Sequence, residues 1–288
     1  MSEIKILVTG AGGQLGSEIR NLAPQFPSLD FTFTDRTQLA IEELESLESY
    51  FSNHQFTHCI NCAAYTAVDK AEEESAQAFL INSAGVKNLA LACHSRGITL
   101  IHISTDYVFD GKADTPYKEV DETDPVNLYG ASKLEGEQQA LQHNQNTIII
   151  RTSWLYSVHG KNFVKTMIRL MKERERIGVV ADQVGSPTHA RDLAAAILKI
   201  ITDREHPTPG IYHYCNQGVI SWYQFAVSIK EIIDSKCVVD AIQTQEYPTP
   251  AKRPTYSAFD TTKIQADFGI VIPDWETSLR DCIALMKM

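Results

Sequence analysis

The chain has 288 residues, a formal net charge of -10 and an isoelectric point near 5.4. This length suits one large α/β domain or a dinucleotide-binding domain with a smaller companion. The acidic balance argues against a nucleic-acid binder, which would gather Lys and Arg on one face. We expect a cytoplasmic protein, because no stretch predicts a membrane span or a secretory signal and the six scattered cysteines are typical of reduced thiols.

The first half of the chain alternates short apolar runs with longer segments of helical apolar spacing, which predicts βαβ units around a parallel sheet. The predicted strands are 5–9, 31–34, 59–63, 100–104 and 147–151. The predicted helices are 15–23, 41–51, 69–95 and 129–142. After residue 151, prolines interrupt shorter elements, and 210–215 is an isolated strand candidate. We therefore predict an α/β protein with a Rossmann-type doubly wound parallel sheet. Residues 1–153 would form the dinucleotide-binding domain, and residues 154–288 mainly a smaller substrate-binding domain interleaved with the last elements of the sheet.

A glycine-rich loop follows the first predicted strand and opens a helix. Its spacing lets Gly10 make a tight turn, Gly13 admit a pyrophosphate close to the backbone, and Gly16 pack against the strand. The N-terminus of the helix then offers free N–H groups to phosphates. The predicted cofactor contacts in this loop are Gly10, Gly12, Gly13, Gln14, Leu15 and Gly16.

The residues after the second predicted strand leave the choice between NADH and NADPH open. Asp35 lies about twenty residues beyond the loop, where an acid accepts hydrogen bonds from ribose hydroxyls. Arg36 beside it either faces a 2′-phosphate, which favours NADPH, or is a solvated surface charge.

Tyr129 and Lys133 are four residues apart near the start of a predicted helix, so their side chains share one face. A nearby ammonium favours the phenolate of a tyrosine in a dry site, which suits proton transfer. The spacing alone decides nothing, because a chain with eleven tyrosines contains it by chance about half the time. The context is more specific, since Thr105 follows a parallel strand at the edge of the sheet where a bound nicotinamide would lie.

Other candidate sites are weaker. Cys59 and Cys62 form a CxxC in an apolar run, but residues three apart on a strand point to opposite faces, so we expect packing rather than a disulfide. The nine histidines show no metal-ligand spacing. We therefore predict no metal site.

These motifs belong to a wider resemblance to the dTDP-4-dehydrorhamnose reductase family, an extended branch of the short-chain dehydrogenase/reductase superfamily. The resemblance spans nearly the whole chain, and its later blocks are the specific ones. The blocks are the glycine loop and residues 62–69, 104–111, 129–133, 151–156, 162–163, 181–188 and 253–254.

The resemblance implies roles for individual residues. Thr105, Tyr129 and Lys133 would form the catalytic set. Tyr129 and Lys133 would also contact the cofactor, which Ala63, Ala64 and Tyr65 would line. The sugar nucleotide would meet Val68, Thr105, Asp106, Tyr107, Trp154 and Arg253, with Arg253 on the diphosphate because its planar fork matches phosphate oxygens. For Trp154 the alternative is core packing, and for Arg253 a structural salt bridge.

This chain departs from the family in two features. Relatives carry a Leu-Asp pair after the second strand, whereas this chain has Leu39-Ala40-Ile41-Glu42, so an acidic contact near the adenine end is missing. Some relatives use magnesium at a subunit contact, but Gln14 is not a strong ligand and we find no acidic cluster in the sequence.

The implied activity is NADPH- or NADH-dependent reduction of the 4-keto group of dTDP-4-dehydro-6-deoxy-L-mannose to dTDP-L-rhamnose, with Tyr129 as proton donor, in a monomer or homodimer. Two alternatives stay open. One is a non-catalytic regulatory subunit of the methionine adenosyltransferase type, and the other is a different sugar-nucleotide reductase or epimerase.

Overall fold

The structure is a computed structural model that describes residues 4–202 and 208–286. Its strands are β1 (Ile4–Thr9), β2 (Leu29–Phe33), β3 (His58–Asn61), β4 (Thr99–Thr105), β5 (Thr147–Thr152), β6 (Leu155–Tyr156), β7 (Arg176–Val180), β8 (Val184–Gly185), β9 (Thr188–His189), β10 (Gly210–Tyr214), β11 (Ile220–Ser221), β12 (Val238–Ile242) and β13 (Tyr256–Ser257). Its α-helices are α1 (Gln14–Leu22), α2 (Leu44–Asn53), α3 (Val68–Ala71), α4 (Ser75–Phe79), α5 (Gly85–His94), α6 (Leu128–His143), α7 (Phe163–Glu173), α8 (Ala190–Thr202), α9 (Trp222–Ile232), α10 (Thr262–Phe268) and α11 (Trp275–Met286). Across these two ranges, none of the helices has the length and apolar character that a membrane span requires.

A six-stranded parallel sheet forms the centre of the molecule, in the order β10-β5-β4-β3-β1-β2. The predicted α/β fold with a doubly wound parallel sheet is therefore confirmed. All six residues of β5 are buried, as expected for a parallel strand covered on both faces. The chain leaves β1 towards β2 and returns to the other side of β1 with β3, so the strand order reverses between β1 and β3, which is where such sheets bind ligands.

Two apolar clusters cover the two faces of this sheet. On one face, Ile19 of α1 and Leu193 of α8 pack on β1 and β5. On the other, Leu47 of α2, Leu89 of α5 and Ala140 of α6 pack on β1, β3 and β4. The helices thus fix the sheet between two layers, and the carboxyl ends of its strands open at one edge.

The segment predicted as one helix over 69–95 is broken in the structure. It forms α3, α4, a π-helical turn over Leu80–Ala84, and α5. The side chain of Asn82 in the turn bonds both the backbone nitrogen and the carbonyl of Tyr65, and also the Ser132 hydroxyl. The π-helical turn therefore lets a polar residue of the helix hold the loop after β3 and the helix α6 together.

The second half of the chain builds its own cluster and also returns to the main sheet. Val164 of α7, Phe225 of α9 and Leu279 of α11 pack together with β7 and β12. Between these elements, β10 crosses back and pairs with β5 along its whole length. The domain boundary at residue 153 stays a prediction. Strand β10 belongs to the main sheet although it follows that boundary in the chain.

Candidate active site

The glycine loop makes a tight turn between β1 and α1. Gly10 has φ +62°, and an added Cβ would lie 2.5 Å from the backbone nitrogen of Ala63. At Gly16 a Cβ would lie 2.6 Å from the Cα of Ala11, so the first turn of α1 packs directly on the loop. Nothing lies within 4 Å of the position that a Cβ on Gly12 would take. The loop is thus tight against the protein and open on its outer side, as a close approach of a phosphate group requires.

A cavity of about 660 Å³ opens beside this loop at the carboxyl ends of β1, β3, β4 and β5. Its volume falls in the range of small-molecule and cofactor sites. The structure brings twelve of the residues predicted from the sequence to its walls: Gly13, Gln14, Leu15, Ala63, Ala64, Val68, Thr105, Asp106, Tyr107, Tyr129, Lys133 and Trp154.

Helix α6 presents Tyr129 and Lys133 to this cavity. The helix begins where the Asn127 side chain accepts a hydrogen bond from the Gly130 nitrogen at 2.8 Å. Gly130 lies against the Tyr107 carbonyl so closely that any side chain there would clash with it. The start of α6 is therefore pressed against the end of β4, where Thr105 lies.

Burial sets the electrostatics of this pair. It raises the pKa of Tyr129 to about 12, an effect that a hydrogen bond with Thr105 opposes and Asp106 reinforces. It lowers the pKa of Lys133 to about 8. Lys133 Nζ donates to the Ile103 carbonyl at 2.6 Å. The phenol is therefore protonated at neutral pH, although the sequence suggested that Lys133 would favour the phenolate.

Beside this pair, the end of β4 adds a buried acid and a second aromatic ring to the wall of the cavity. Thr105 Oγ1 donates to Asp106 Oδ1 at 3.0 Å, and burial raises the pKa of Asp106 to about 6. The rings of Tyr107 and Tyr129 meet edge to face, with centroids 5.6 Å apart. The wall therefore joins a carboxyl group with a pKa near neutrality to the hydroxyl groups of Thr105 and Tyr129.

Trp154, directly after β5, has a backbone conformation that is uncommon for a bulky residue, with φ +48°. Its ring stacks on Trp222, with centroids 3.6 Å apart and planes 11° from parallel. Gly185 supports the ring from β8, where an added Cβ would lie 2.8 Å from it. The aromatic wall of the cavity is thus built by three separate segments of the second half.

Two predicted cofactor residues, Asp35 and Arg36, lie outside the cavity walls and have protein partners. Asp35 Oδ1 accepts from the Thr37 nitrogen at 2.9 Å and its hydroxyl at 2.6 Å, and these bonds lower the pKa of Asp35. The exposed Arg36 pairs with Glu42 at 2.6 Å. Glu42 thus already holds the guanidinium that a 2′-phosphate would need.

Tyr65 and Arg253 also lie outside the walls. The Tyr65 hydroxyl donates to Glu74 at 2.6 Å. Arg253 forms a two-point pair with Asp69, at 3.0 and 2.9 Å. The salt bridge that was the alternative for Arg253 is therefore present. Gly10, Gly12 and Gly16 are likewise absent from the walls and act through the shape of the loop.

Sequence reasoning missed the loop after β6, which closes the cavity beside the glycine loop. Gly160 and Lys161 lie in its walls. Asn162 Nδ2 donates to Gln14 Oε1 at 2.8 Å, and Gln14 Nε2 donates to the Leu155 carbonyl at 3.4 Å. The sequence indicates the importance of Asn162 and Phe163 only through the family resemblance. The local signal for this loop is Asn162 itself. Its side chain accepts a hydrogen bond from the Lys165 nitrogen and so caps the start of α7.

Cys62 also lines the cavity, and burial raises the pKa of its thiol to about 12, so it stays protonated. All six cysteines are free. Within 4–202 and 208–286, the structure contains no group of three or more His, Cys, Asp or Glu side chains that could hold a metal ion.

A doubly wound parallel sheet with a glycine loop after its first strand, and a Tyr-Lys pair facing a Thr at the end of β4, defines a reductase of the short-chain dehydrogenase type. A family model described as the RmlD substrate binding domain matches residues 4–288, and the chain belongs to this family. It is 41% identical to a dTDP-4-dehydrorhamnose reductase of Aggregatibacter actinomycetemcomitans, over 96% of this chain and 97% of that protein. The chain is accordingly an enzyme of the oxidoreductase class.

Two solved structures are similar to it along their whole length. A dTDP-4-dehydrorhamnose reductase from Clostridium acetobutylicum is 42% identical with a TM-score of 0.95, covering 99% of this chain and 100% of that chain. One from Bacillus anthracis, in complex with NADP, is 40% identical with a TM-score of 0.94 and the same coverage. The resemblance noted in the sequence is therefore confirmed.

Proposed function

We propose that this enzyme reduces the 4-keto group of dTDP-4-dehydro-6-deoxy-L-mannose to give dTDP-L-rhamnose. The observation that carries the proposal is one cavity in which Tyr129, Lys133 and Thr105 stand between the glycine loop and the Trp154 wall. The names of relatives about 40% identical over nearly the whole chain support the choice of substrate.

The residues of the glycine loop fit a nicotinamide dinucleotide. The outer side of the loop is open, and α1 begins at Gln14 with N–H groups that suit a pyrophosphate. Ala63 and Ala64 offer small side chains beside it, and Lys161 brings a positive charge to the same side. When bound, the reduced nicotinamide supplies the hydride that becomes the hydrogen on C4.

We propose NADPH or NADH as the cofactor. The NADP complex of the Bacillus anthracis relative favours NADPH. In this chain Arg36 is paired with Glu42, so selection of a 2′-phosphate would require that pair to open. Asp35 uses only Oδ1 in its local bonds, which leaves its second oxygen for a ribose hydroxyl.

Tyr129 is the proposed proton donor. With a pKa of about 12 it holds its proton at neutral pH, and it transfers this proton to the oxygen of the keto group as negative charge develops there. Lys133 stabilises the tyrosinate that remains, because an adjacent cation favours the charged form. Thr105 donates a hydrogen bond to the same substrate oxygen once it releases the Asp106 carboxylate.

The proposed sugar-nucleotide contacts are Val68, Thr105, Asp106, Tyr107, Trp154 and Arg253. The stacked Trp154 offers a flat apolar wall for the sugar or base. Arg253 contacts a diphosphate only if a phosphate replaces or shares its pair with Asp69. In this proposal residues 1–153 hold mainly the cofactor and residues 154–288 mainly the substrate, in a monomer or homodimer.

The test is to mix the purified protein with dTDP-4-dehydro-6-deoxy-L-mannose and either NADPH or NADH, and to follow the cofactor absorbance and the sugar product. Formation of dTDP-L-rhamnose with matching cofactor oxidation is the expected result. Turnover only with another keto sugar would favour the alternative reductase or epimerase. Absence of turnover with either cofactor would contradict the proposal.

A further inference from the structure

Helix α6 carries a third buried polar residue in line with Tyr129 and Lys133. Glu137 follows Lys133 by four residues, so the three side chains stand one above another on the same face of the helix. Their exposed fractions are 9% for Tyr129, 2% for Lys133 and 1% for Glu137. A carboxylate this deep in the protein needs compensation, and the reaction described above gives it no part.

Arg151 of β5 provides that compensation. Its Nε donates to Glu137 Oε1 at 2.9 Å and its Nη2 to Oε2 at 2.7 Å, a two-point contact between side chains that are 3% and 2% exposed. The guanidinium also lies 5.0 Å from the centre of the Phe109 ring. Because β5 is a central strand of the sheet, this contact fixes the Glu137 carboxylate relative to the sheet as well as to the helix.

Among the residues that the structure describes, the other groups that face Lys133 carry no negative charge. On β4, His102 Nε2 lies 3.4 Å from Lys133 Nζ, and burial, with Lys133 itself, lowers the pKa of His102 well below its usual value. After β3, the Cys62 thiol stays protonated because burial raises its pKa. On α6, Tyr129 stays protonated for the same reason. Asp106, beyond Tyr129, influences that phenol rather than Lys133.

We propose that Glu137 is a positioning residue that keeps Lys133 positively charged at neutral pH, and that Arg151 holds the Glu137 carboxylate in place for this task. The proposal rests on the proposed function, in which a charged Lys133 stabilises the tyrosinate. Burial alone lowers the pKa of Lys133, and Glu137 is the group that most opposes this. Without the carboxylate, Lys133 loses its proton at a lower pH.

The first test is Glu137→Gln, which keeps the size of the side chain and removes its charge. Lysine labelled with ¹³C at Cε reports the titration of Lys133 by NMR without cofactor or substrate, and the Lys133→Met variant identifies its signal. We expect a midpoint near 8 in the parent and a fall of at least about one unit in Glu137→Gln. A midpoint that does not move would overturn the proposal, whatever the enzyme reduces.

The second readout is the pH profile of kcat. A fall in the Lys133 pKa from about 8 to about 7 leaves the protonated fraction nearly unchanged at pH 6 and lowers it about eightfold at pH 8.5. Glu137→Gln should therefore lose activity mainly on the alkaline side and recover near pH 6. A loss of equal size at every pH would indicate a purely structural role and contradict the proposal.

Glu173→Gln is the matched control, because Glu173 also pairs with an arginine but lies exposed on α7. It should leave both readouts unchanged. If Glu137→Gln does not fold, the double variant Glu137→Gln/Arg151→Met removes the guanidinium that would be left without a counter-charge. The same fall in the Lys133 midpoint is expected there, and its absence would also overturn the proposal.

Discussion

Replacing Gly10 by Ala should destabilise the whole protein, whereas the same replacement at Gly12 should not. At Gly10 the left-handed backbone costs an L-residue about 1–2 kcal/mol. The added Cβ would also lie 2.5 to 2.7 Å from backbone atoms of Cys62 and Ala63, and overpacking of this kind costs about 1–3 kcal/mol. The expected loss in the free energy of unfolding is therefore about 2–5 kcal/mol.

Thermal unfolding followed by circular dichroism, without ligands, measures this loss. For a chain of this size it corresponds to a fall in Tm of roughly 3–8 °C. Gly12→Ala is the matched control, because nothing lies within 4 Å of its Cβ position and its φ is not positive. Its Tm should stay within about 2 °C of the parent. The reasoning would be refuted if the two variants had the same Tm, or if the Tm of Gly10→Ala equalled that of the parent.

Three further predictions concern the reaction and the binding of its ligands. Tyr129→Phe should keep the Kd for NADPH but lower kcat about 10²- to 10⁴-fold, and near-parental turnover would exclude it as the proton donor. Lys161→Gln should raise the Kd for NADPH about tenfold at low salt and less at high salt, measured by fluorescence, whereas the exposed Lys172→Gln should match the parent. Arg253→Gln should raise KM for the sugar nucleotide several-fold while Asp69→Asn does not; equal effects would indicate that only their salt bridge matters.

The sheet and the placement of Tyr129 and Lys133 were predictable because their signals are local and periodic. Five strands of the main sheet appear in the sequence as apolar runs, and the loop from Gly10 to Gly16 marks the end of the first. Tyr129 and Lys133 share a helix, so their spacing alone places them on one face. The position of Thr105 near this pair was also predictable, because parallel strands end at the same edge of the sheet.

Features that depend on distant contacts were not predictable in this way. The π-helical turn at Asn82 follows from bonds to Tyr65 and Ser132, which are 17 and 50 residues away in the chain. Lys161 stands in an irregular loop without periodicity, and its neighbour Asn162 bonds Gln14 across 148 residues. Such contacts exist only once distant segments of the chain have met.

The return of β10 to the main sheet also bears on how the chain folds during synthesis. When residue 152 has been made, β5 is an apolar strand with one edge still unpaired. At ordinary rates of translation its partner at Gly210–Tyr214 emerges roughly 3–12 s later. During that interval the open edge is a template for pairing with other chains. A nascent chain stalled before residue 210 should therefore aggregate more readily than the full-length protein.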